Sequence, residues 1–391
     1  MKGRWIGFSA ILLVYGLINF YIGWQFSLFL REAAPSYPRT AFWAVFGVIA
    51  FSYLLGRIPA PRPLRPAFRL LKVIGSWYFA VMEFALILIL LADLIALALR
   101  WSGADTPQYA ETAGWVVIGL LALLLLLGSR NAWSPIVREY PVQVDKRVPG
   151  MHKLRIAAAS DLHLGNVVGK RHLKRLIARM NAMEPDLILL AGDVLDDSIE
   201  PFVRNRLGEW LGQLKAKYGV YAVLGNHEYY GGHIEEYVER MREIGIPVLR
   251  DERVEVEGKF IVAGRKDKTA EAMDPEGRVS VSQLLEAADR SKPILLMDHQ
   301  PQQFAKAAEA GADLLLCGHT HRGQFAPNHW LTRRLFELDW GYMRKGAMHV
   351  AVSSGFGTWG PPIRLASRSE ILLIDMALAE SSANGQGGTA E

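Results

Sequence analysis

Four stretches in the first third of the chain are too apolar and too poor in charge to rest in water: Trp5–Leu30, Ala41–Gly56, Val73–Leu99 and Thr112–Ser129. A helix that crosses a bilayer needs about 20 apolar residues, with about 17 as the lower end. The first and third stretches exceed that length, the fourth meets it and the second is marginal. In hydrocarbon only helices and closed barrels satisfy their own backbone, so these runs are expected to form a four-helix transmembrane region over residues 1–128. A cleaved signal peptide has an apolar core of about 7–15 residues before a small-residue cleavage site. The first run instead continues unbroken to Arg31 and is followed by further apolar runs.

Charge follows the same division. Residues 1–128 hold ten Lys or Arg and five Asp or Glu, which leaves 34 of each sign for the rest of the chain. The net charge of +5 therefore belongs to the apolar third. The polar part has no net basic field, which excludes a nucleic-acid partner of the usual kind. A single cysteine, Cys317, excludes an intramolecular disulfide.

Residues 57–72 carry Arg57, Arg62, Arg65, Arg69 and Lys72 with no acid, whereas residues 101–111 carry Asp105 and Glu111 with no base. The positive-inside rule places the first loop in the cytoplasm. Two further spans then return the chain to that side, which predicts a cytoplasmic polar domain on an integral, multi-pass membrane protein. Glu83 and Asp93 lie within the third run. An acid in hydrocarbon is a functional candidate by default, and the alternative is a structural partner on another helix.

Beyond residue 128 the pattern changes. Residues 129–150 read as a proline-containing linker with an edge strand at Tyr140–Val144, residues 151–378 as a folded domain and residues 379–391 as a disordered tail. Short apolar runs predict strands at Leu154–Ala159, Leu187–Ala191, Val220–Leu224, Val254–Val256, Phe260–Ala263, Ile294–Met297, Leu314–Cys317, His349–Ser353 and Ile371–Ile374. Helical stretches fall near 170–183, 202–217, 233–243, 280–290 and 301–310. The alternation predicts an α/β domain, a layered β-sandwich flanked by helices.

Strand after strand ends in a residue type that binds metal. Asp161 and His163 follow the first run, Asp193 the second, and Asn226, His227 and Glu228 the third. Asp298 and His299 follow Ile294–Met297, and His319 and His321 follow Leu314–Cys317. Carboxylates, a carboxamide and imidazoles suit Mn, Fe, Zn or similar divalent ions, and no thiolate biases the set towards structural zinc. Each fragment alone is compatible with an ordinary turn or cap. Five in one order point to a metal site, and a two-metal geometry makes the joint demand physically sensible.

The series Asp161-x-His163, Gly192-Asp193, Gly225-Asn226-His227-Glu228, His299 and Gly318-His319-Thr320-His321 closely resembles the calcineurin-like metallophosphoesterases, over about residues 140–376. It looks most like the membrane-attached bacterial branch, which includes cell-wall-associated phosphoesterases and enzymes resembling UDP-2,3-diacylglucosamine pyrophosphatase of lipid A synthesis. The resemblance implies a hydrolase with two divalent metal ions. Asp161, His163 and His321 would hold one ion, Asn226, His299 and His319 the other, and Asp193 would bridge them. A hydroxide shared by the ions would attack phosphorus while His227 protonates the departing oxygen, and Glu228 would orient a neighbour. Arg322 stands where many relatives have glycine. Arg322 and Arg364 are candidate phosphate forks, or partners for acids.

The remaining histidines, His152, His172, His233, His329 and His349, are irregularly placed and are expected on the surface or on helices. In Trp330–Lys345, a helix would place Leu331, Leu335, Leu338 and Tyr342 on one face. That reads either as an ordinary buried stripe or as a flap at the lipid surface. Four spans suggest a lipid-linked phosphoester or a nucleotide-sugar-lipid pyrophosphate, with membrane lipids as partners and a role in lipid metabolism. The alternatives are a phosphodiesterase acting on soluble cyclic nucleotides, a non-catalytic membrane scaffold or sensor, and a transport subunit using Glu83 and Asp93.

Overall fold

A computed structural model describes residues 2–104 and 108–379. It divides into two compact units, one running to Arg130 together with Gly360–Ile363 and the other comprising Asn131–Trp359 and the chain from Arg364. Asp105 and the tail beyond Ala379 lie outside the described residues.

The first unit is helical, with α1 Lys2–Ala33, α2 Arg39–Gly56, α3 Arg65–Ser102 and α4 Tyr109–Trp133. All four are long and apolar enough to cross a membrane. The marginal second run gains length because its helix begins at Arg39. Arg65, Arg69 and Lys72, read from the sequence as loop residues, belong to the first turns of α3. Small residues let the α2–α3 hairpin close. A Cβ on Gly75 would lie 2.2 Å from the Tyr53 amide nitrogen, and one on Gly56 would lie 2.5 Å from that of Lys72. Close main-chain approach of this kind drives helix association where lipid competes for apolar contact. Asp93 accepts hydrogen bonds from Tyr21 Oη at 2.5 Å and Gln25 Nε2 at 2.6 Å, so α1 satisfies its carboxylate.

The second unit contains twelve strands among the described residues. They are β1 Ile136–Val144, β2 Lys153–Ala159, β3 Leu187–Ala191, β4 Val220–Val223, β5 Val248–Leu249, β6 Glu252–Val256, β7 Phe260–Gly264, β8 Ile294–Met297, β9 Leu314–Cys317, β10 Gly341–Lys345, β11 Met348–Val352 and β12 Glu370–Leu378. One sheet has the order β1-β12-β2-β3-β4-β5 and the other β10-β11-β9-β8-β7-β6. Strands β2 to β5 run parallel, as do β7, β8, β9 and β11.

Both faces of these strands are buried, which is why the sequence shows unbroken apolar runs rather than alternation. Leu154, Ile156, Leu187, Leu189, Val262, Leu295 and Leu316 pack between the sheets. Ala157, Ile188 and Leu190 face outward onto Leu173, Leu176 and Met180 of the helix Lys170–Ala182. Ile294, Leu296 and Leu315 face the opposite way onto Leu284, Leu285 and Phe304. The sandwich flanked by helices is thus a four-layer arrangement.

Three expectations change. The helix near 202–217 is two short ones, Glu200–Arg204 and Leu207–Leu211, because Arg206 takes a left-handed conformation (φ 51°) between them. The segment Trp330–Lys345 is not one helix. His329–Leu335 is helical, Phe336 is extended and Gly341–Lys345 is the edge strand β10. Leu331 and Leu335 therefore stand in solvent, whereas Leu338 is partly buried against the second sheet's outer core. Lastly, His349 lies in the buried strand β11 and not on the surface or a helix, while His172 is on a helix as expected but is buried. His172 stacks on Phe356 with ring centroids 4.2 Å apart, and His349 bonds to Tyr342 Oη and the Gln143 carbonyl.

Candidate metal centre

Parallel strands deliver their carboxyl ends to one edge, where open α/β sheets place ligands. Here both sheets contribute: β2 leads to Asp161 and His163, β3 to Asp193, β4 to Asn226 and His227, β8 to His299 and β9 to His319 and His321. Three groups of potential ligands arise, Asp161–His163–His321, His163–Asp193–His227 and Asp193–His299–His319, each with its donor atoms within 4.8 Å of one another. His163 and Asp193 each belong to two groups, so the groups adjoin. Asn226 joins them through its Oδ1, 2.8 Å from His319 Nδ1. The structure thus brings together all seven residues that the sequence pattern suggested as ligands, with His227 beside them.

The distances are those of donors facing a common point. Asp193 Oδ2 is 3.1 Å from His299 Nε2 and 3.9 Å from His163 Nε2. His321 Nε2 is 3.3 Å from Asp161 Oδ1 and 3.0 Å from His163 Nε2. The buried His299 Nε2, which faces Asp193 Oδ2, has no aligned hydrogen-bond partner. His299 Nδ1 donates to the Ala191 carbonyl at 2.8 Å, which leaves Nε2 available as a donor atom in the neutral tautomer. Buried carboxylates and imidazoles with orphaned atoms are what a divalent cation would satisfy, so the donor set fits one.

The local backbone is bent to achieve this. Asp161, His163, Asp193, His319 and His321 all have φ between 46° and 73°, a left-handed region that costs a side-chain-bearing residue about 1–2 kcal/mol each. Such strain concentrates at functional sites. Glycines clear the space. A Cβ on Gly225 would lie 2.1 Å from Asp193 Oδ1, one on Gly318 2.3 Å from Asp161 Oδ2, and one on Gly192 2.6 Å from His299 Nδ1.

Supporting polar groups then fix the ligands. The buried Glu228 carboxylate accepts from the amides of Asp193 (3.1 Å), Leu195 (2.8 Å) and Gly225 (2.7 Å), tying the β3 and β4 loops together. Asp193 Oδ1 accepts from the His227 amide at 2.9 Å, and Asp161 Oδ1 from the His319 amide at 3.0 Å. Ser160 Oγ donates to Asp161 Oδ2.

Burial and mutual charge set the protonation tendencies. Burial pushes Asp161 up to about 6 and Glu228 up to about 7, with the Asp193 charge adding to both. It pushes His163 down to about 3, and His321 well down, with nearby imidazoles and Arg364 acting the same way. For Asp193 burial acts upward, but His299 outweighs it and holds the carboxyl well below its usual range. For His227 burial acts downward, but the hydrogen bond to Asp197, with Asp193 nearby, lifts it to about 9.

Asp197 is the main residue that the sequence reading missed. Its Oδ1 is 2.7 Å from His227 Nδ1, which fixes that ring. The available signal was a second carboxylate four residues after Asp193. Tyr230 and Trp359, both exposed, also approach the His227 ring, with centroids 5.7 and 6.4 Å away.

The two arginines take roles other than those expected. Arg364 is fully buried and donates to the Gly357 carbonyl, with Nη2 3.2 Å from His321 Nδ1, so it braces a ligand from behind instead of facing a phosphate. Arg322 stacks on Trp340, its guanidinium carbon 4.0 Å from the ring centroid. Its φ of 51° is a conformation that glycine adopts without strain. Neither arginine forms an ion pair among the described residues.

Fold and donor cluster together resemble those of the metal-dependent phosphoesterases. A family model of calcineurin-like phosphoesterases matches residues 154–323. The chain is 31% identical over 240 residues to an uncharacterized metallophosphoesterase of Aquifex aeolicus, covering 61% of this chain and 90% of that one. It is 32% identical over 266 residues to a transmembrane protein with metallophosphoesterase domain from Danio rerio, covering 65% of this chain and 60% of the relative's length. An uncharacterized metallophosphoesterase of Campylobacter jejuni aligns over 387 residues at 27% identity, covering 94% of this chain and 96% of that one. The chain belongs to the calcineurin-like phosphoesterase family.

Proposed function

We propose that the protein is a membrane-bound hydrolase of phosphoric esters or pyrophosphates with a two-metal centre. The observation that carries this reading is the place of Asp193 between the two donor sets, its Oδ2 3.1 Å from His299 Nε2 and 3.9 Å from His163 Nε2. Two divalent cations, when bound, supply Lewis-acid charge and an activated water for in-line displacement at phosphorus.

In this reading Asp161, His163 and His321 would hold one cation and Asn226, His299 and His319 the other, with Asp193 contributing to both. The neutral carboxamide of Asn226 keeps the donor set from cancelling the positive charge that a phosphate needs. His227 acts as general acid towards the leaving oxygen. Its ring lies beside Asp193 and His163, and Asp197 holds its Nδ1 so that the other nitrogen can carry the transferred proton. Glu228 and Arg364 act as positioning residues.

The substrate we favour is lipid-linked, since four bilayer-length helices accompany the domain. The basic stretch around Arg57–Lys72 supports a cytoplasmic catalytic domain.

The test is turnover by the purified full-length protein. Mono-, di- and pyrophosphate lipids would be assayed beside soluble aryl phosphodiesters, with metal content measured on the same sample. Activity should require Mn²⁺ or a similar ion and be lost on chelation. Turnover that survives chelation, or an intact Asp193→Ala variant with normal rates, would sink the reading.

A further inference from the structure

The short helix His329–Leu335 is built in a way that its role as a cover for the fold does not explain. Trp330, Leu331 and Leu335 are 65%, 60% and 67% exposed. Arg333 and Arg334 lie among them, both exposed and neither engaged in an ion pair among the described residues. The acids nearby are already used. Glu337 is paired with Lys345 at 2.6 Å, and the buried Asp339 accepts from Thr332 Oγ1 at 2.6 Å. What remains outward is a large aromatic, two leucines and two uncompensated cations.

The helix is held firmly. The turn His321–Gly323 lies directly beneath it, since a Cβ on Gly323 would lie 2.5 Å from the Asn328 carbonyl carbon and the His329 nitrogen. At its other end Phe336 approaches the ring of His319, with centroids 6.1 Å apart. The exposed patch is thus contiguous with the metal-ligand cluster.

We propose that this helix is an interfacial docking element for an anionic lipid surface. Tryptophan and leucine seat in the boundary between headgroups and acyl chains, and arginines pair with lipid phosphates. The chain's own apolar helices provide a bilayer, so a single extra element suffices to fix the domain on it. A second copy of the chain is a poorer occupant, because the patch lacks the unpaired acids that would meet its own arginines. The corollary, that the scissile phosphoester reaches His319 from the leaflet, rests on the phosphoesterase reading. The docking itself does not.

The experiment uses full-length protein in lipid nanodiscs, with Leu331→Cys labelled by an environment-sensitive fluorophore and the buried Cys317 replaced by alanine. Discs contain phosphatidylcholine alone or with about a third phosphatidylglycerol, each with or without acyl-chain spin quenchers. In anionic discs the label should blue-shift and be quenched. Arg333→Glu with Arg334→Glu should reduce that quenching roughly threefold. A label that stays water-like in both lipids overturns the proposal, as does quenching that ignores both lipid charge and the arginine changes. Quenching that appears only with two labelled copies per disc would assign the patch to self-association instead. The readout needs no turnover, so failure of the phosphoesterase reading would show separately as absent hydrolysis.

Discussion

In the helical unit, Gly56 and Gly75 bring main chain against main chain, whereas in the sandwich Gly192, Gly225 and Gly318 bring main chain against ligand side chains. In the helices the close approach is an association device, and a methyl group there forces two helices apart by a small distance that lipid can fill. In the sandwich the same methyl group meets an oxygen or nitrogen whose position decides whether a cation is held. The same residue type therefore tolerates change very differently in the two regions, and the tolerance follows from what lies opposite.

This contrast can be broken or sharpened by substitution. The largest effect is expected from Asp193→Ala, which removes the shared carboxylate. Hydrolysis should fall by about a thousandfold or more with two-cation stoichiometry lost in metal analysis, while circular dichroism stays native.

Gly225→Ala comes next. Its methyl group would sit on Asp193 Oδ1, so turnover and metal content should fall together. Near-normal metal content in that variant would break the argument that these glycines make room for ligands.

Asp197→Asn should lower kcat roughly tenfold to a hundredfold, within the range of general acid–base catalysis, with metal content unchanged. Equal loss of metal and rate would make Asp197 a support for the ligand cluster and not for His227.

Gly75→Ala tests the other side of the comparison. It should destabilise the α2–α3 pairing by about 1–3 kcal/mol, the usual cost of overpacking, seen as earlier thermal unfolding in detergent. The kcat of the protein that remains folded should be unchanged.

The smallest effect is expected from Arg322→Gly. Relief of a left-handed residue, about 1–2 kcal/mol, is offset by loss of the stack on Trp340, about 0.5–1 kcal/mol, so the melting temperature should hardly move.

The strands with both faces buried were legible because each is a compact apolar run bounded by turn residues, as in Leu187–Ala191 before Gly192. Of the four edge strands, β1 and β6 were legible in part, from Tyr140–Val144 and Val254–Val256, and β5 and β10 were not. β5 is only Val248–Leu249, too short to leave a pattern, and β10 places Arg344 and Lys345 at a sheet edge where charge is tolerated. The 330–345 stretch misled because Leu331, Leu335, Leu338 and Tyr342 keep a helical spacing across a real break at Phe336.

At the site, ligand types could be read because each follows a strand. The bracing of Arg364 and the Asp197–His227 pair could not, because they depend on side-chain directions that bring residues 43 and 30 positions apart into contact. His172 and His349 were expected on the surface or on helices; His172 does sit on the helix Lys170–Ala182, though buried, whereas His349 lies in the buried strand β11. Their burial depends on stacking against Phe356 and on bonding to Tyr342, which spacing does not reveal.

Glu228 has one further consequence. With a single side chain grasping three amides from two neighbouring loops, the bridging aspartate and the asparagine behave as one mechanical part. Neither loop can yield to an incoming ion without dragging its neighbour. Swapping Glu228 for a shorter acid would therefore act like loosening a bolt shared by two brackets, felt in both halves of the pocket at once.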